Sequence, residues 1–252
     1  LPINVVIPEI QDKLKSHSRL VLQAPPGAGK TTAVPIALLD QPWLNNRQII
    51  MLEPRRLAAR NAASRMAYLL NEKVGETVGY QVRQDKQVSK KTRILVVTEG
   101  ILTRKLQADP ELGNTALVIF DEFHERSIHA DLSLALCLQS QQILREDLKI
   151  LVMSATLNTD AISGVLDNAP IIQSEGRSFP VDVEYLDRSI SADRSQLMAT
   201  LNKTLSHVIK QHNGNCLVFL PGVKEISRLH DLAAQTVKSE GMQDILLAPL
   251  HG

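Results

Sequence analysis

The sequence is poor in aromatic residues and in long apolar runs, and each shortage excludes a class of protein. Only 3% of the 252 residues are aromatic, which argues against an open sheet that binds single strands by stacking bases on rows of rings. No apolar run approaches the roughly 18 residues of a membrane-spanning helix. The first residues also lack the basic stretch and apolar core of a secretory signal. We therefore expect a cytoplasmic protein without membrane contact.

Cysteine and excess charge are scarce as well. Cys137 and Cys216 lie in apolar segments without metal-ligand spacing, so we expect buried thiols in a reducing compartment. Lysine and arginine number 28 against 27 aspartates and glutamates, which leaves a net charge of +1. So small an excess does not indicate a general polyanion binder. Any nucleic-acid surface must therefore be local and must contact mainly phosphates.

The sequence does contain a regular alternation of short apolar runs with helical patterns. The runs that predict strands are 19–23, 48–52, 93–97, 116–120 and 149–153. The patterns that predict helices are 31–39, 55–70, 100–107 and 131–144. This βαβ rhythm predicts an α/β fold in which a mostly parallel β-sheet is flanked by helices and joined by right-handed crossovers.

A polar stretch with glycine and proline at 173–180 divides the chain. We predict a first domain at 1–172, a linker at 173–184, and the truncated start of a second α/β domain at 185–252. The pattern beyond the polar stretch predicts an extended segment at 181–185, helices at 195–211 and 223–237, and strands at 216–220 and 245–247.

The segment A-P-P-G-A-G-K-T-T lies between a predicted strand and a predicted helix, and begins at Ala24, where the usual pattern has glycine. Gly27 and Gly29 let the backbone curl so that successive N–H groups point inward, and the helix N-terminus adds partial positive charge. Lys30 can then reach the β- and γ-phosphates, and the Thr31 hydroxyl can ligate Mg²⁺. The motif alone also fits an ordinary glycine turn with an exposed lysine, but its flanks favour a triphosphate site.

A second segment, I-F-D-E-F-H-E-R, begins at Ile119, at the end of a predicted buried strand. The ligand crevice of a doubly wound sheet lies outside the carboxyl ends of its strands, so this segment and the phosphate loop should meet there. Asp121 would hold magnesium, and Glu122 would orient and deprotonate the attacking water. Helix capping is the alternative for these carboxylates. The upstream phosphate loop and the adjacent His124 favour hydrolysis.

A local excess of arginine follows the second predicted strand. Arg55, Arg56, Arg60 and Arg65 stand against one acidic residue, Glu53, and form a basic surface at the start of a predicted helix. Helix amides with Arg55 or Arg56 would suit a nucleic-acid phosphate. A solvated helix face is equally compatible with this stretch alone.

Weaker signals lie at two further strand ends and in one edge segment. Residues 98–100, T-E-G, could bind a ligand or cap a helix. Residues 154–156, S-A-T, could relay the state of the γ-phosphate or cap the helix that follows. Arg83 lies in a candidate edge segment where it would face a ligand.

The ordered segments resemble those of the superfamily 2 DEAH/RHA helicases in sequence and spacing, over the whole chain. They are 24–32, 53–60, 98–102, 121–124, 154–156 and 217–222. The resemblance implies a P-loop RecA-like domain followed by the beginning of a second RecA-like domain. It also implies an ATP-hydrolysing RNA helicase with Mg²⁺ and ATP as cofactors and RNA as partner. We expect a monomer, and the resemblance leaves open whether other nucleoside triphosphates serve.

The resemblance also assigns roles to individual residues. The catalytic residues are Lys30, Asp121, Glu122 and His124. The metal ligands are Thr31 and Asp121. The nucleotide-binding residues are Pro26, Gly27, Ala28, Gly29, Lys30, Thr31, Thr32 and Arg65, the last against the base. The RNA-binding residues are Pro54, Arg55, Arg56, Arg83, Thr98, Glu99, Gly100, Phe219, Pro221 and Gly222. Coupling of hydrolysis to unwinding falls to Ser154, Ala155 and Thr156.

The chain departs from the family pattern in two ways. Phe123 replaces the alanine of the D-E-A-H box, which affects packing and leaves the metal and water positions intact. The family's later motifs, which supply arginine fingers worth roughly 10³ to 10⁵ in rate, do not appear. We therefore expect this fragment to bind nucleotide and hydrolyse it poorly. The alternatives are an RNA-binding module switched by nucleotide without unwinding, and a DNA-directed translocase.

Overall fold

A computed structural model of the chain describes residues 1–155, 159–176, 180–186, 194–242 and 244–250. The chain divides into two compact units, Leu1–Phe179 and Pro180–Gly252. The domain and linker boundaries drawn from the sequence stay predictions. Across the described ranges, no helix has the length and apolar character needed to cross a membrane.

The first unit is built on one eight-stranded sheet. Its strands are β1 (Arg19–Gln23), β2 (Gln48–Glu53), β3 (Val78–Val82), β4 (Asp85–Gln87), β5 (Ile94–Thr98), β6 (Thr115–Phe120), β7 (Lys149–Ser154) and β8 (Ile171–Gln173). The strand order is β4-β3-β5-β2-β6-β7-β1-β8. All neighbours pair in parallel except β3 and β4, which form an antiparallel hairpin at one edge. The predicted parallel sheet is therefore confirmed.

The described part of the chain contains eight α-helices, six in the first unit and two in the second. They are α1 (Ile7–Ser16), α2 (Lys30–Ala37), α3 (Arg56–Leu69), α4 (Glu99–Ala108), α5 (Ile128–Ile143), α6 (Thr159–Val165), α7 (Arg194–Gln211) and α8 (Val223–Ser239). Short 3₁₀ turns occupy Pro2–Val5, Pro42–Leu44 and Phe123–Glu125. The helices predicted from the sequence match α2 to α5, α7 and α8 to within a few residues.

The central strands are apolar throughout because both faces of the sheet are covered. In β2, Ile49 and Met51 pack into one core cluster, with α1, α2 and α3. Ile50 and Leu52 point the other way, into a second cluster with α4 and α5. Successive side chains of a strand point to opposite faces, so a strand buried on both sides shows a continuous apolar run and no alternation.

Two strands predicted in the second unit are wrong. Residues 216–220 and 245–247 are not strands, since neither pairs with another strand among the described residues. Both segments line an apolar hollow together with α7 and α8. Residues 181–185, predicted as an extended segment, belong to no strand in the described part of the chain. An apolar run becomes a strand only when a neighbour accepts and donates its backbone hydrogen bonds.

The cysteine prediction is half right. Cys137 is buried in α5, and burial raises the pKa of its thiol to about 12. Cys216 is exposed, contrary to the expectation from its apolar sequence context. Its segment, 216–220, pairs with no strand in the described ranges, so the sheet burial expected from the sequence is not formed there.

An ion-pair cluster closes the amino edge of the sheet. Arg145 donates from Nε to Oδ1 of Asp147 over 2.7 Å, and Arg47 donates to the other carboxylate oxygen. Arg145 also donates to the carbonyl oxygens of Glu111, at 2.7 Å, and Thr115, at 3.0 Å. The cluster therefore joins the turn before β6 to the turn before β7. The hydrogen bonds from Arg145, followed by those from Arg47, hold the pKa of Asp147 well below its usual range.

We expect Asp147→Asn to reduce the free energy of unfolding near pH 7 by about 0.5 to 1 kcal/mol, because the carboxylate is half exposed and solvent screens the pair. A carboxylate whose pKa is lower in the folded protein than in the unfolded chain stabilises the fold at pH values above its unfolded-state pKa, which is about 3.9 for aspartate. The difference in the free energy of unfolding between Asp147→Asn and wild type should therefore narrow as pH falls below that value. Urea unfolding followed by the fluorescence of Trp43, the only tryptophan, measures the free energy of unfolding of both proteins. Asp12→Asn breaks an exposed pair with Lys15 and serves as control; an equal loss in both variants would contradict the prediction.

Candidate functional site

The predicted motifs meet at the carboxyl edge of the sheet. In the parallel pairings, Gln23 at the end of β1 lies opposite Ser154 of β7. Glu53 at the end of β2 lies opposite Thr98 of β5. The backbone N–H of Asp121, just after β6, donates to the carbonyl of Leu52 over 3.0 Å. Because all these strands run in parallel, the residues that follow them share one edge of the sheet.

The phosphate loop has the backbone that its glycines were predicted to allow. Gly27 and Gly29 have φ of +78° and +93°, in the left-handed region that favours glycine. Gly29 caps α2, and Lys30 is its first residue. Ala24, in the place of the usual glycine, is completely buried. The Lys30 side chain is only 4% exposed, so this segment is not a glycine turn with an exposed lysine.

Two short contacts join the phosphate loop to the acidic pair. Lys30 Nζ donates to Glu122 Oε1 over 2.8 Å, and Thr31 Oγ1 donates to Asp121 Oδ2 over 2.5 Å. The other oxygen of Asp121 accepts the backbone N–H of Glu122 over 2.8 Å. The Glu122 side chain makes no capping hydrogen bond to the 3₁₀ turn that follows it. The carboxylates therefore face the phosphate loop and do not serve as helix caps.

A third acidic side chain completes this cluster, and no motif in the sequence indicates its role. Glu53 is 2% exposed, and burial, reinforced by the negative charge of Asp121, raises its pKa to about 9. Burial also raises the pKa of Asp121, against the hydrogen bond from Thr31 and the charge of Lys30. Only the order of strands places Glu53 here, because β2 and β6 are adjacent although they are far apart in sequence.

The residues present fit a magnesium ion. Three acidic side chains share one ammonium, and the Thr31 hydroxyl and Asp121 carboxylate are neighbouring oxygens of the kind that Mg²⁺ prefers. In the described ranges, no group of three or more His, Cys, Asp or Glu side chains could hold a metal by itself. Thr31 and Asp121 would therefore hold the ion together with phosphate oxygens and water, as is usual for Mg²⁺.

His124 connects the acidic turn to the end of β7. The backbone N–H of Ala155 donates to His124 Nδ1 over 3.3 Å, and the same nitrogen lies 3.4 Å from Glu122 Oε2. Nδ1 accepts the Ala155 N–H only when the proton of the neutral ring is on Nε2, and in that state it makes no hydrogen bond to the nearby Glu122 carboxylate. Ser154 is buried beside it. Thr156, the third predicted coupling residue, lies outside the described residues.

Phe123, the departure from the usual box, packs into the core. Its ring is 5% exposed and meets Phe120 edge to face, with centroids 6.0 Å apart. It belongs to the apolar cluster on the α4 and α5 side of the sheet. The larger residue therefore fills core space and leaves the Asp121 and Glu122 contacts in place.

The residues of the first unit that were predicted to contact RNA lie at the carboxyl ends of the strands or in the β3–β4 hairpin. Arg55 precedes α3 and Arg56 opens it, both exposed. Thr98 is the N-cap residue of α4, although its side chain makes no capping hydrogen bond. A β-carbon at Gly100 would enter open space. Arg83 is exposed in the turn between β3 and β4.

The predicted base contact lies farther along α3, and three predicted RNA-binding residues lie in the second unit. Arg65 is exposed on α3, and its guanidinium lies 5.3 Å from the centre of the Tyr68 ring. In the second unit, Phe219 is exposed and Gly222 caps α8. Pro221 lies in the turn between them.

This geometry agrees with a comparison to known families: residues 5–163 match the DEAD/DEAH box helicase family. The chain belongs to the DEAD/DEAH box helicases. It is 50% identical over 252 residues to the ATP-dependent RNA helicase HrpB of Escherichia coli, covering all of this chain and 30% of HrpB. It is 34% identical over 250 residues to the HrpA homolog of Haemophilus influenzae, covering 99% of this chain and 19% of that protein.

Solved structures of the same helicase family share the fold. A crystal structure of the Escherichia coli DEAH/RHA helicase HrpB matches with a TM-score of 0.86 and 50% identity, over 93% of this chain and 30% of that one. The predicted RecA-like helicase domain is thereby confirmed. The chain spans less than a third of the length of these relatives, so the roles of its individual residues and the start of a second RecA-like domain stay predictions.

Proposed function

We propose that the chain is the nucleotide-binding part of an ATP-dependent RNA helicase. It binds Mg²⁺-ATP and single-stranded RNA, and in the complete protein ATP hydrolysis drives translocation and unwinding. The contact that carries this proposal is the pairing of Lys30 and Thr31 with Glu122 and Asp121. The relatives named as ATP-dependent RNA helicases support ATP and RNA as the ligands. We extend the proposal to a cytoplasmic monomer.

The proposed mechanism begins with an exchange of partners at Lys30. In the structure its ammonium is held by Glu122; a bound γ-phosphate attracts the same ammonium and releases the carboxylate. Glu122 is then free to orient a water and accept its proton. Magnesium held by Thr31 and Asp121 would neutralise charge on the phosphate oxygens. His124 contacts both Glu122 and Ala155, so it can report the state of this site to the end of β7.

The RNA contacts in this proposal are made to phosphates. Arg56 stands at the N-terminus of α3, exposed, and no ion pair to it occurs among the described residues. A helix N-terminus with a free arginine suits a phosphate oxygen. Such contacts read no base, so affinity should depend on salt and little on sequence.

We expect Arg56→Gln to weaken binding of single-stranded RNA equally for U-rich and A-rich oligonucleotides and to reduce the slope of log affinity against log salt by about 0.7. Fluorescence anisotropy at several salt concentrations measures both effects. Lys15→Gln is the matched control. It removes one exposed charge from α1, which leads into the amino end of β1.

Two results would redirect the proposal. Equal affinity and equal ATPase stimulation by RNA and DNA would favour a DNA-directed translocase, because an RNA-specific protein contacts the 2′-hydroxyl. If the complete protein binds RNA and nucleotide but releases no strand from a duplex in a single turnover, a nucleotide-switched RNA-binding module is the better description.

A further inference from the structure

One of the predicted RNA-contacting arginines already has an acidic partner. Arg55 Nη2 donates to both carboxylate oxygens of Glu125, over 3.0 and 3.1 Å. The two residues are 70 positions apart in sequence, and they meet because β2 and β6 are neighbouring strands. Elsewhere in the described part of the chain, no other ion pair to either side chain occurs.

Glu125 belongs to the same short turn as the proposed water-activating residue. Its backbone N–H donates to the carbonyl of Glu122 over 2.9 Å. Glu122 and Arg126, on either side of the turn, have φ of 49° and 46°, in the left-handed region that non-glycine residues rarely adopt. Strained backbone of this kind persists only where surrounding contacts hold it. The Arg55–Glu125 pair joins this turn to the residue that precedes α3.

The Arg55–Glu125 pair is poorly suited to be a stability device. The Arg55 side chain is 73% exposed and that of Glu125 is 36% exposed, and exposed ion pairs contribute little to the free energy of folding. A carboxylate and a phosphate, however, compete for the same guanidinium hydrogen bonds. The neighbouring Arg126 donates to Asp131 over 2.8 Å, so it does not stand in for Arg55 as the partner of Glu125.

We propose that Glu125 is an internal competitor for RNA: its carboxylate occupies the Arg55 guanidinium that an RNA phosphate takes on binding. RNA then frees Glu125 and removes one of the contacts that hold the turn containing Glu122. Glu125 is thus a positioning residue that links the RNA surface at the start of α3 to the hydrolytic turn. This inference rests on the proposed function, because it needs Arg55 to contact RNA.

The inference is tested by RNA affinity without nucleotide, which requires no catalytic activity. We expect Glu125→Gln to bind a fluorescein-labelled U-rich oligonucleotide roughly two- to five-fold more tightly than wild type at low salt, the size that release of an exposed ion pair allows. Glu146→Gln removes the same charge from an exposed position before β7, at the opposite edge of the sheet, and should change affinity much less. Thermal melting checks that both variants are folded.

A double-mutant cycle with Arg55→Met separates competition from a general charge effect. Without Arg55 there is nothing for Glu125 to block, so Glu125→Gln should no longer increase affinity in that background. An equal gain in RNA affinity in both backgrounds, or no gain in either, would overturn the inference. The proposed function would stand in that case if Arg55→Met by itself weakens RNA binding. If wild type binds no RNA, or Arg55→Met binds as well as wild type, the RNA contact itself is wrong and the inference is overturned with it.

Discussion

Replacing Glu122 with glutamine should lower ATP hydrolysis by the complete protein roughly 10²- to 10⁴-fold, the range over which a positioned general base contributes. An amide cannot accept a proton from water, although its oxygen can still accept a hydrogen bond from Lys30, 2.8 Å away in the structure. The substitution keeps the size of the side chain and leaves the Thr31–Asp121 contact untouched. Nucleotide affinity should therefore be retained.

Two measurements are needed to test Glu122→Gln. Single-turnover phosphate release reports the chemical step, and titration with a fluorescent ATP analogue reports binding. Glu146→Gln, exposed and remote from the cluster, is the matched control and should hydrolyse ATP normally. Normal hydrolysis by Glu122→Gln would show that another residue activates the water; loss of binding together with hydrolysis would show that Glu122 supports the pocket instead.

Replacing Lys30 with methionine should weaken binding of Mg²⁺-ATP by about 10- to 100-fold, because the charge-assisted hydrogen bond that is lost is worth about 1.5 to 3 kcal/mol. Lys30 is the ammonium paired with the acidic cluster, and its side chain is almost fully buried. Methionine fills similar space without charge. Titration with a fluorescent ATP analogue gives the affinity, and Lys91→Met, on the surface, is the control.

The stability of these variants offers an independent check. Lys30→Met alone should lower the free energy of unfolding by about 1 to 2 kcal/mol, because Glu122 loses its partner at a site only 28% exposed. Lys30→Met combined with Glu122→Gln removes both charges and should recover most of that loss. Unchanged nucleotide binding by Lys30→Met would mean that this loop does not hold the phosphates.

Local signals predicted the centre of the fold well. The strands β1, β2, β5, β6 and β7 follow from continuous apolar runs, because a strand buried on both faces carries apolar residues at every position. The strands that the patterns did not predict, β4 and β8, have only three residues each and form the two edges of the sheet. The strand β3 was predicted only in part, as a candidate edge segment at 80–83, and it lies next to the edge although most of its residues are buried. The wrongly predicted strands at 216–220 and 245–247 are apolar, but they pair with no strand among the residues that the structure describes.

The sequence by itself determined which residues form the glycine-containing loop and the acidic pair on which the proposed nucleotide chemistry rests, since each motif is a contiguous segment. Only the tertiary structure decided which distant residues join them. Glu53 joins Asp121 and Glu122 as a third acidic side chain because β2 lies beside β6, and Glu125 reaches Arg55 for the same reason. Strand order is set by the packing of the whole sheet, and no local pattern in the chain encodes which two strand ends will be neighbours.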